Sequence, residues 1–231
     1  MKLFLTLILI SLIGNVAFAQ LYGRFGYNFG KVVSPEFNDI VDIYNSERPF
    51  LDNQMKHLGI LHGAVMGIGV AFPDHHFSME FTWSNHHDIL KASGTSPVTG
   101  EFATRYIKYR HNCLSYAFHF QIKSVPVLWW GFSLDMDNYR QFTRIDNEPY
   151  SWLDKSFIVE DRIFIIFDLP LSEKLSLQFQ PYFQFPWWIG VEYDQFVDLA
   201  LDVPYYEGFS SRSLPKNYGI LMTLKVGGYN E

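Results

Sequence analysis

From Lys174 to Trp188 the chain alternates: Leu175, Leu177, Phe179, Phe183, Phe185 and Trp187 share one parity, and Ser176, Gln178, Gln180 and Gln184 share the other. Successive side chains of a strand point to opposite faces, so this stretch predicts a ribbon with one apolar face and one amide face. The same period-2 pattern recurs over eight segments, at about 21–32, 57–72, 76–90, 102–122, 127–142, 156–169, 175–193 and 216–229. The links between them run about 24, 3, 11, 4, 13, 5 and 22 residues, long and short in strict alternation. A meander with such links has its tight turns (Pro73 to His75, Lys123 to Pro126, Pro170 to Lys174) at one end and its long loops at the other.

Bulk decides which face meets which medium. The apolar parity holds Phe25, Tyr27 and Phe29, then Met66, Ile68 and Val70, then Phe77, Met79, Phe81 and Trp83, with comparable sets in the other segments. The interior of an eight-stranded barrel is filled by ordinary side chains, so this much bulk has to point outward. The opposite parity is small or polar, with Gly63, Gly67, Gly69, Ser78, Ser84, Ser115, Gly131 and Gly219, as a crowded interior requires. Trp83, Trp129, Trp130, Trp187 and Trp188 fall near segment ends, where interfacial aromatic girdles lie. Mixed parities from Lys108 to Asn112 predict a bulge or the end of the membrane span, and Pro181 and Pro186 predict local bulges because proline cannot donate to a ladder. The expected fold is all-β: an eight-stranded antiparallel up-and-down transmembrane β-barrel with short periplasmic turns and long extracellular loops.

The beginning of the chain fits an exported protein. Met1 and Lys2 precede an apolar run from Leu3 to Ile13, and Ala17-Phe18-Ala19 is an A-x-A site, which predicts a cleaved secretory signal over 1–19 and a barrel over 20–231. No later stretch has the length of uncharged apolar sequence that a spanning helix needs, about 20 residues. A net charge of −6 argues against nucleic acid as a partner. The single cysteine, Cys113, leaves no intrachain disulfide to staple the fold.

Signal, strand count, alternation and loop asymmetry together resemble the small eight-stranded outer-membrane barrels, the OmpX-like and OmpA-membrane-domain-like group. The resemblance is architectural and covers nearly the whole mature chain. It implies residence in the Gram-negative outer membrane, with membrane lipid as the surroundings. Members commonly end on an aromatic residue, whereas this chain ends Gly228-Tyr229-Asn230-Glu231.

Inward parity places Arg24, Glu80, Asp135, Asp137, Glu160, Arg162 and Lys225 in the lumen, among Asn28, His119, Gln121, Gln178, Gln180 and Gln184. Charges in so narrow a space have to be paired and hydrogen-bonded, so Arg24, Glu80, Asp135, Glu160, Arg162 and Lys225 are expected to form a polar plug. Glu80 is the expected counter-ion of Arg24 and Lys225. An aqueous channel needs about 16 strands. Neither His86-His87 nor His75-His76 suggests a metal, since adjacent strand residues point to opposite faces, and no cofactor is expected. Some barrels of this class are lipid A acyl hydrolases or acyltransferases, and here Ser84, His86 and Asp137 share inward parity and could converge at the rim. The His-x-Ser-Asn pattern of the deacylases is absent.

Two long loops carry apolar residues. Ser34-Pro35-Glu36 offers an N-cap, a proline at N1 and an acid in the first turn, and Phe37, Ile40, Val41 and Tyr44 follow at helical spacing. Residues 194–215 mix acids (Asp194, Asp198, Asp202, Glu207) with Phe196, Val197, Leu199, Leu201, Tyr205 and Tyr206. Such patches pack together as a lid or form a partner surface, and Phe37, Ile40, Val41 and Tyr44 are the candidate surface for another outer-membrane or surface protein. The expected function is that of a structural or scaffold barrel and not an enzyme. Its rivals are the lipid-modifying enzyme and a soluble lipocalin-like binder of an apolar ligand.

Overall fold

The computed structural model describes residues 19–187, 190–201 and 212–227. The expected signal up to residue 18, the terminal 228–231, and Trp188, Asp202, Tyr205, Tyr206 and Glu207 lie outside them. Eight long antiparallel strands follow the period-2 segments: β1 (Gln20–Val33), β3 (Ile60–Phe72), β4 (Phe77–Thr95), β5 (Phe102–Gln121), β6 (Leu128–Ile145), β7 (Ser151–Ser172), β8 (Leu175–Pro186) and β11 (Lys216–Gly227). Each pairs with the next along the chain, and β1 pairs with β11 from Tyr22↔Gly227 to Val33↔Lys216, which closes the ring. Helix α1 (Pro35–Ser46) and strand β2 (Leu51–Asn53) fill the first long loop. Strand β9 (Val191–Glu192), helix α2 (Asp194–Leu201) and strand β10 (Arg212–Ser213) belong to the last.

The faces sort as the alternation demands. Phe25, Met66, Ile68, Phe81, Phe132, Ile163, Ile165, Phe167 and Ile220 are exposed on the outer wall, while Arg24, Glu80, Ser133, Asp135, Arg162, Gln180 and Thr223 are buried inside it. Strands crowd where the interior has no side chain: a Cβ on Gly63 would overlap the Asn85 carbonyl oxygen, and one on Gly26 would overlap that of Met222. At the short-turn end, residues 73–75 make one 3-10 turn that His76 closes in the left-handed region at φ 52°.

Three local expectations differ from what is found. Of the two alternatives expected across Lys108 to Asn112, only the bulge is absent, since the pairing of β5 with β4 and β6 keeps one register. The parities mix there because the strand runs on past the lipid, with Lys108, Arg110 and Asn112 outside and Tyr109 and His111 inside. Pro181 does not bulge either: the β7–β8 pairs step from Phe164↔Tyr182 to Phe167↔Phe179 in unchanged register, and Pro181 faces Ile220 on β11. The register shifts occur instead at Arg140/Phe142 and Pro170/Ser172. Trp129 belongs to no girdle, because its parity turns it inward, where it packs against the lower lumen beside Ile166 and Tyr182.

An exterior built to face hydrocarbon has a depth-dependent penalty for charge. Ile165→Arg or Phe132→Arg should each destabilise the barrel folded in lipid vesicles by about 2–4 kcal/mol, and Val98→Arg, at a loop tip, should leave its stability unchanged. Denaturant titrations of the refolded barrel measure both. Equal effects at the three positions would contradict the outward assignment.

Candidate functional site in the lumen and cap

The lumen holds bonded sets of polar side chains, with an apolar cluster of Val65, Phe164, Ile166 and Leu221 among them. At the short-turn end, Lys225 Nζ lies 3.4 Å from Asp168 Oδ2 and faces the rings of Tyr22 and Trp129 at 5.0 and 6.0 Å. Above it, Arg24 uses its whole guanidinium. Nη1 donates to Glu80 Oε1 at 2.9 Å, Nε to Thr223 Oγ1 at 2.7 Å, and Nη2 to Gln180 Oε1 at 2.5 Å. Thr82 Oγ1 also donates to Glu80 Oε1, at 2.6 Å.

A third set lies higher. Arg162 Nη2 pairs with Asp135 Oδ2 at 2.8 Å, Ser133 Oγ donates to Asp135 Oδ1 at 2.8 Å, and Gln184 Nε2 bridges Asp135 and Asp137 at 3.0 and 2.9 Å. His111 Nε2 contacts the other oxygen of Asp137, and Tyr139 OH donates to Glu160 at 3.3 Å. Asn28 Nδ2 reaches His86 Nε2 at 2.8 Å and donates to Tyr182 OH at 3.0 Å. Ion pairing offsets the desolvation of Arg24, Glu80, Arg162, Asp135, Lys225 and Asp168, which costs several kcal/mol per ion, whereas Glu160 is met only by the Tyr139 hydroxyl.

All six residues expected in the lumen network are inward and buried, but they form separate sets and not one. Glu80 serves Arg24, while Lys225 takes Asp168, which sequence reasoning passed over although it falls on inward parity at the end of its segment. His111 and Cys113 were also passed over, because the mixed pattern around Lys108 to Asn112 hid which parity was inward. His111, Cys113 and Asp137 are buried with donor atoms within 4.8 Å of one another, a nitrogen, sulfur and oxygen set that could hold a metal. In this structure those donors are engaged within the protein, His111 with Asp137, and Cys113 Sγ accepting from Arg162 Nη2 at 3.3 Å.

Ser84, His86 and Asp137 do not assemble into a catalytic set. His86 is held by Asn28, Asp137 by His111 and Gln184, and Ser84 pairs across the sheet with Cys113 and makes no hydrogen bond to either partner. Ser84 and Asp137 lie level in one row, but β5 stands between their strands and puts Cys113 and His111 in the gap.

Above the polar sets the lumen is closed by an apolar cap. Phe37, Ile40, Val41 and Tyr44 on one face of α1 are buried, as are Phe196, Val197 and Ala200 of α2. The Phe37 ring packs on Tyr109, Tyr193 and Phe196 at centroid distances of 5.2, 5.3 and 5.0 Å. The expected partner surface of Phe37, Ile40, Val41 and Tyr44 is thus corrected: helical spacing put these residues on one face, and that face packs inward on the barrel mouth. Ser34 precedes the helix without capping it; its Oγ donates to Ser213 at 2.9 Å and shares a hydrogen bond of 3.1 Å with Tyr193.

Both ends of α2 are held from outside. Arg48 donates to the carbonyls of Ala200 and Leu199 at 2.6 and 3.0 Å, and Asp154 accepts from the amides of Gln195 and Phe196 at 3.1 and 3.0 Å. This is the arrangement that the helix dipole favours at each end. Burial pushes the Asp154 carboxyl up to about 6, opposed by the two amide bonds and reinforced by the neighbouring charges of Asp194 and Asp198.

A closed ring of eight strands with an apolar outer wall, a polar filled interior, tight turns at one end and long loops at the other defines an eight-stranded membrane β-barrel of the outer-membrane class. Neisserial surface protein A has a similar structure, with 8% identity, a TM-score of 0.44, and coverage of 89% of this chain and 96% of that one. Ail, the attachment invasion locus protein of Yersinia pestis, solved with the heparin analogue sucrose octasulfate, is similar over 91% of this chain and 99% of its own at 7% identity and a TM-score of 0.46. OprG of Pseudomonas aeruginosa gives 8% identity, 92% and 97% coverage and a TM-score of 0.43. No protein-family model and no curated protein matches the sequence.

Two outcomes follow from the pairing. Glu80→Ala strands a buried guanidinium and should destabilise the barrel by about 3–5 kcal/mol, whereas the paired change Arg24→Met with Glu80→Gln should cost distinctly less. Thermal unfolding in detergent compares them, and an unaffected Glu80→Ala protein would mean that the pair is idle. In the cap, a carboxyl raised to about 6 when folded contributes stability that is complete below the usual carboxylate range and is lost as pH rises through about 6. Hydrogen-exchange protection of α2, corrected for the intrinsic rate, should therefore fall between about pH 4 and 7, and Asp154→Asn should flatten that dependence.

Proposed function

We propose that this protein is an exported outer-membrane surface barrel with no transport path, a structural or scaffold component whose work is done at its extracellular end and outer wall. The observation that carries this reading is the filled lumen: three sets of mutually bonded charges below a cap of packed aromatic and aliphatic residues. The cap residues themselves are occupied, so a partner protein would meet the outer faces of the loops. An open cleft of about 770 Å³ lies there, between the first long loop and β4, lined by Asp52, Lys56, His57, Asp88 and Lys91. The soluble lipocalin-like alternative needs an apolar interior and a polar exterior, the reverse of the faces described above. The lipid-modifying alternative lacks its assembled Ser84, His86 and Asp137.

The test runs in cells that carry the full chain. Val98→Cys should react with an impermeant thiol reagent on intact cells, and Ser124→Cys only after the outer membrane is opened. The buried Cys113 should give no background in the folded protein. Mass spectrometry of lipid A should show the same acyl pattern with and without the protein. Labelling of Ser124→Cys on intact cells would invert the topology, and a changed acyl count would replace the scaffold by an enzyme.

A further inference from the structure

Strands β4 to β7 continue beyond the apolar belt at the long-loop end, and their outward side chains there fall into registered rows. The last belt row is Trp83, Leu114 and Met136. Next comes a row of three amides, Asn85, Asn112 and Asn138, which the exposed Phe157 continues on β7, and then a row of bases, His87, Arg110, Arg140 and Lys155. Lys108 lies beside Phe142 in the row above, which Trp152 continues, and Lys91, Tyr106 and Arg144 form the row above that.

These rows hold six lysines and arginines in a chain whose net charge is −6. Among the described residues, none of Lys91, Lys108, Arg110, Arg140, Arg144 and Lys155 takes part in an ion pair with a carboxylate. Four of the six are arranged on aromatic faces instead. Arg144 lies over Tyr106 at 4.5 Å and Tyr150 at 4.7 Å, Arg140 over Trp152 at 5.4 Å, Lys91 over Tyr106 at 5.5 Å, and Lys108 over Tyr150 at 5.8 Å. Stacking of this kind holds a cation in place, and Arg140 Nε also donates to Asn138 Oδ1, which leaves its Nη atoms for a ligand. Arg144 Nε is buried without an acceptor.

Height tells what these donors face. Outward rows repeat every two residues, about 6.8 Å along an antiparallel strand, so the Arg110 and Arg140 row lies roughly 13 Å along the strand past Leu114 and Met136. A strand tilt of about 40° reduces that to about 10 Å of height, which places it above the hydrocarbon at the outer edge of the headgroup layer, with the Lys108 and Arg144 rows about 5 and 10 Å higher still. A molecule that touches the apolar belt with its tails and carries anionic oxygens at this level is a lipid.

We propose that the outward face of β4 to β7 above the belt binds the phosphate groups of a phosphorylated lipid of the outer leaflet, with its sugar or glycerol hydroxyls against the asparagine row. The inference rests on the membrane-barrel reading above. Arginine and lysine are matched to phosphate oxygens by charge and, for arginine, by its planar fork. Six such groups without internal counter-ions set the number of phosphates at more than one.

The full chain, refolded in zwitterionic detergent, is titrated with diphosphorylated lipid A and followed by native mass spectrometry, beside its dephosphorylated form and phosphatidylglycerol. One variant combines Lys108→Gln, Arg110→Gln, Arg140→Gln and Arg144→Gln; a control removes the same charge elsewhere through Lys31→Gln, Lys123→Gln, Lys174→Gln and Lys216→Gln. The first variant should bind lipid A at least about tenfold more weakly, and the control should bind like the unaltered protein. Dephosphorylated lipid A should bind the unaltered protein no better than it binds the first variant, and phosphatidylglycerol, with one phosphate, should bind more weakly than lipid A. Equal weakening in both variants would reduce the effect to overall charge, and undiminished binding of dephosphorylated lipid would reduce it to the belt; either result overturns the proposal. Displacement by inorganic phosphate at the lipid's own concentration would assign the site to the free anion and overturn the lipid. A failure of the barrel reading shows separately, as loss of heat-modifiable gel migration in all three proteins.

Discussion

Every backbone amide and carbonyl in hydrocarbon has to find a partner within the protein, and a sheet meets that demand only by having no edge. The β1–β11 seam is where this chain meets it. Twelve residues of β1, from Tyr22 to Val33, are matched one to one with the last strand. Closure then fixes the rest: once the ring is shut, alternation has only an inside and an outside, and a slip by one residue would exchange the two media for a whole strand. Pro181 shows the margin available, since one missing donor is absorbed with no change of register on either side.

A ring of eight strands leaves an interior that side chains fill. Here ion pairs carry much of that filling. Arg24 with Glu80, Lys225 with Asp168, and Arg162 with Asp135 divide the lumen into levels, and the upper two add hydrogen bonds from Thr82, Thr223, Gln180, Ser133 and Gln184. Replacing such pairs by apolar residues is often neutral for stability, so their value here lies in tying particular strands at particular heights. Arg24 alone connects β1 to β4, β8 and β11. At the open end the chemistry changes to packing, because two short amphipathic helices have no other place to bury Phe37 and Phe196 than against each other and the barrel mouth.

The fold was legible because its signal is periodic and long. Phe25, Ile68, Phe81 and Ile165 declare their face through neighbours two residues away, and the strict alternation of link lengths gives the direction of the meander. Pairings were less legible. Glu80 could be placed opposite Arg24 by height, but Asp168 was the nearer partner of Lys225, and the choice depends on strand stagger, which no local pattern encodes. The helix from Pro35 was visible in its spacing, yet the same spacing serves a face turned outward to a partner or inward to a lid. Only the positions of Tyr109, Tyr193 and Phe196, distant in sequence, decide that Phe37, Ile40, Val41 and Tyr44 turn inward. Ser84, His86 and Asp137 failed for the converse reason: shared parity is necessary for contact and far from sufficient.

The central claim is that the lumen is shut by its own side chains, so that the protein acts at its surface. Single-barrel conductance in a planar lipid bilayer tests it most directly. The account expects insertion of the folded protein without unitary current steps above those of the bare membrane. Stable, reproducible steps that disappear when the cap is cross-linked closed would contradict it, because ions would then be passing where Arg24, Arg162 and the aromatic cap are placed.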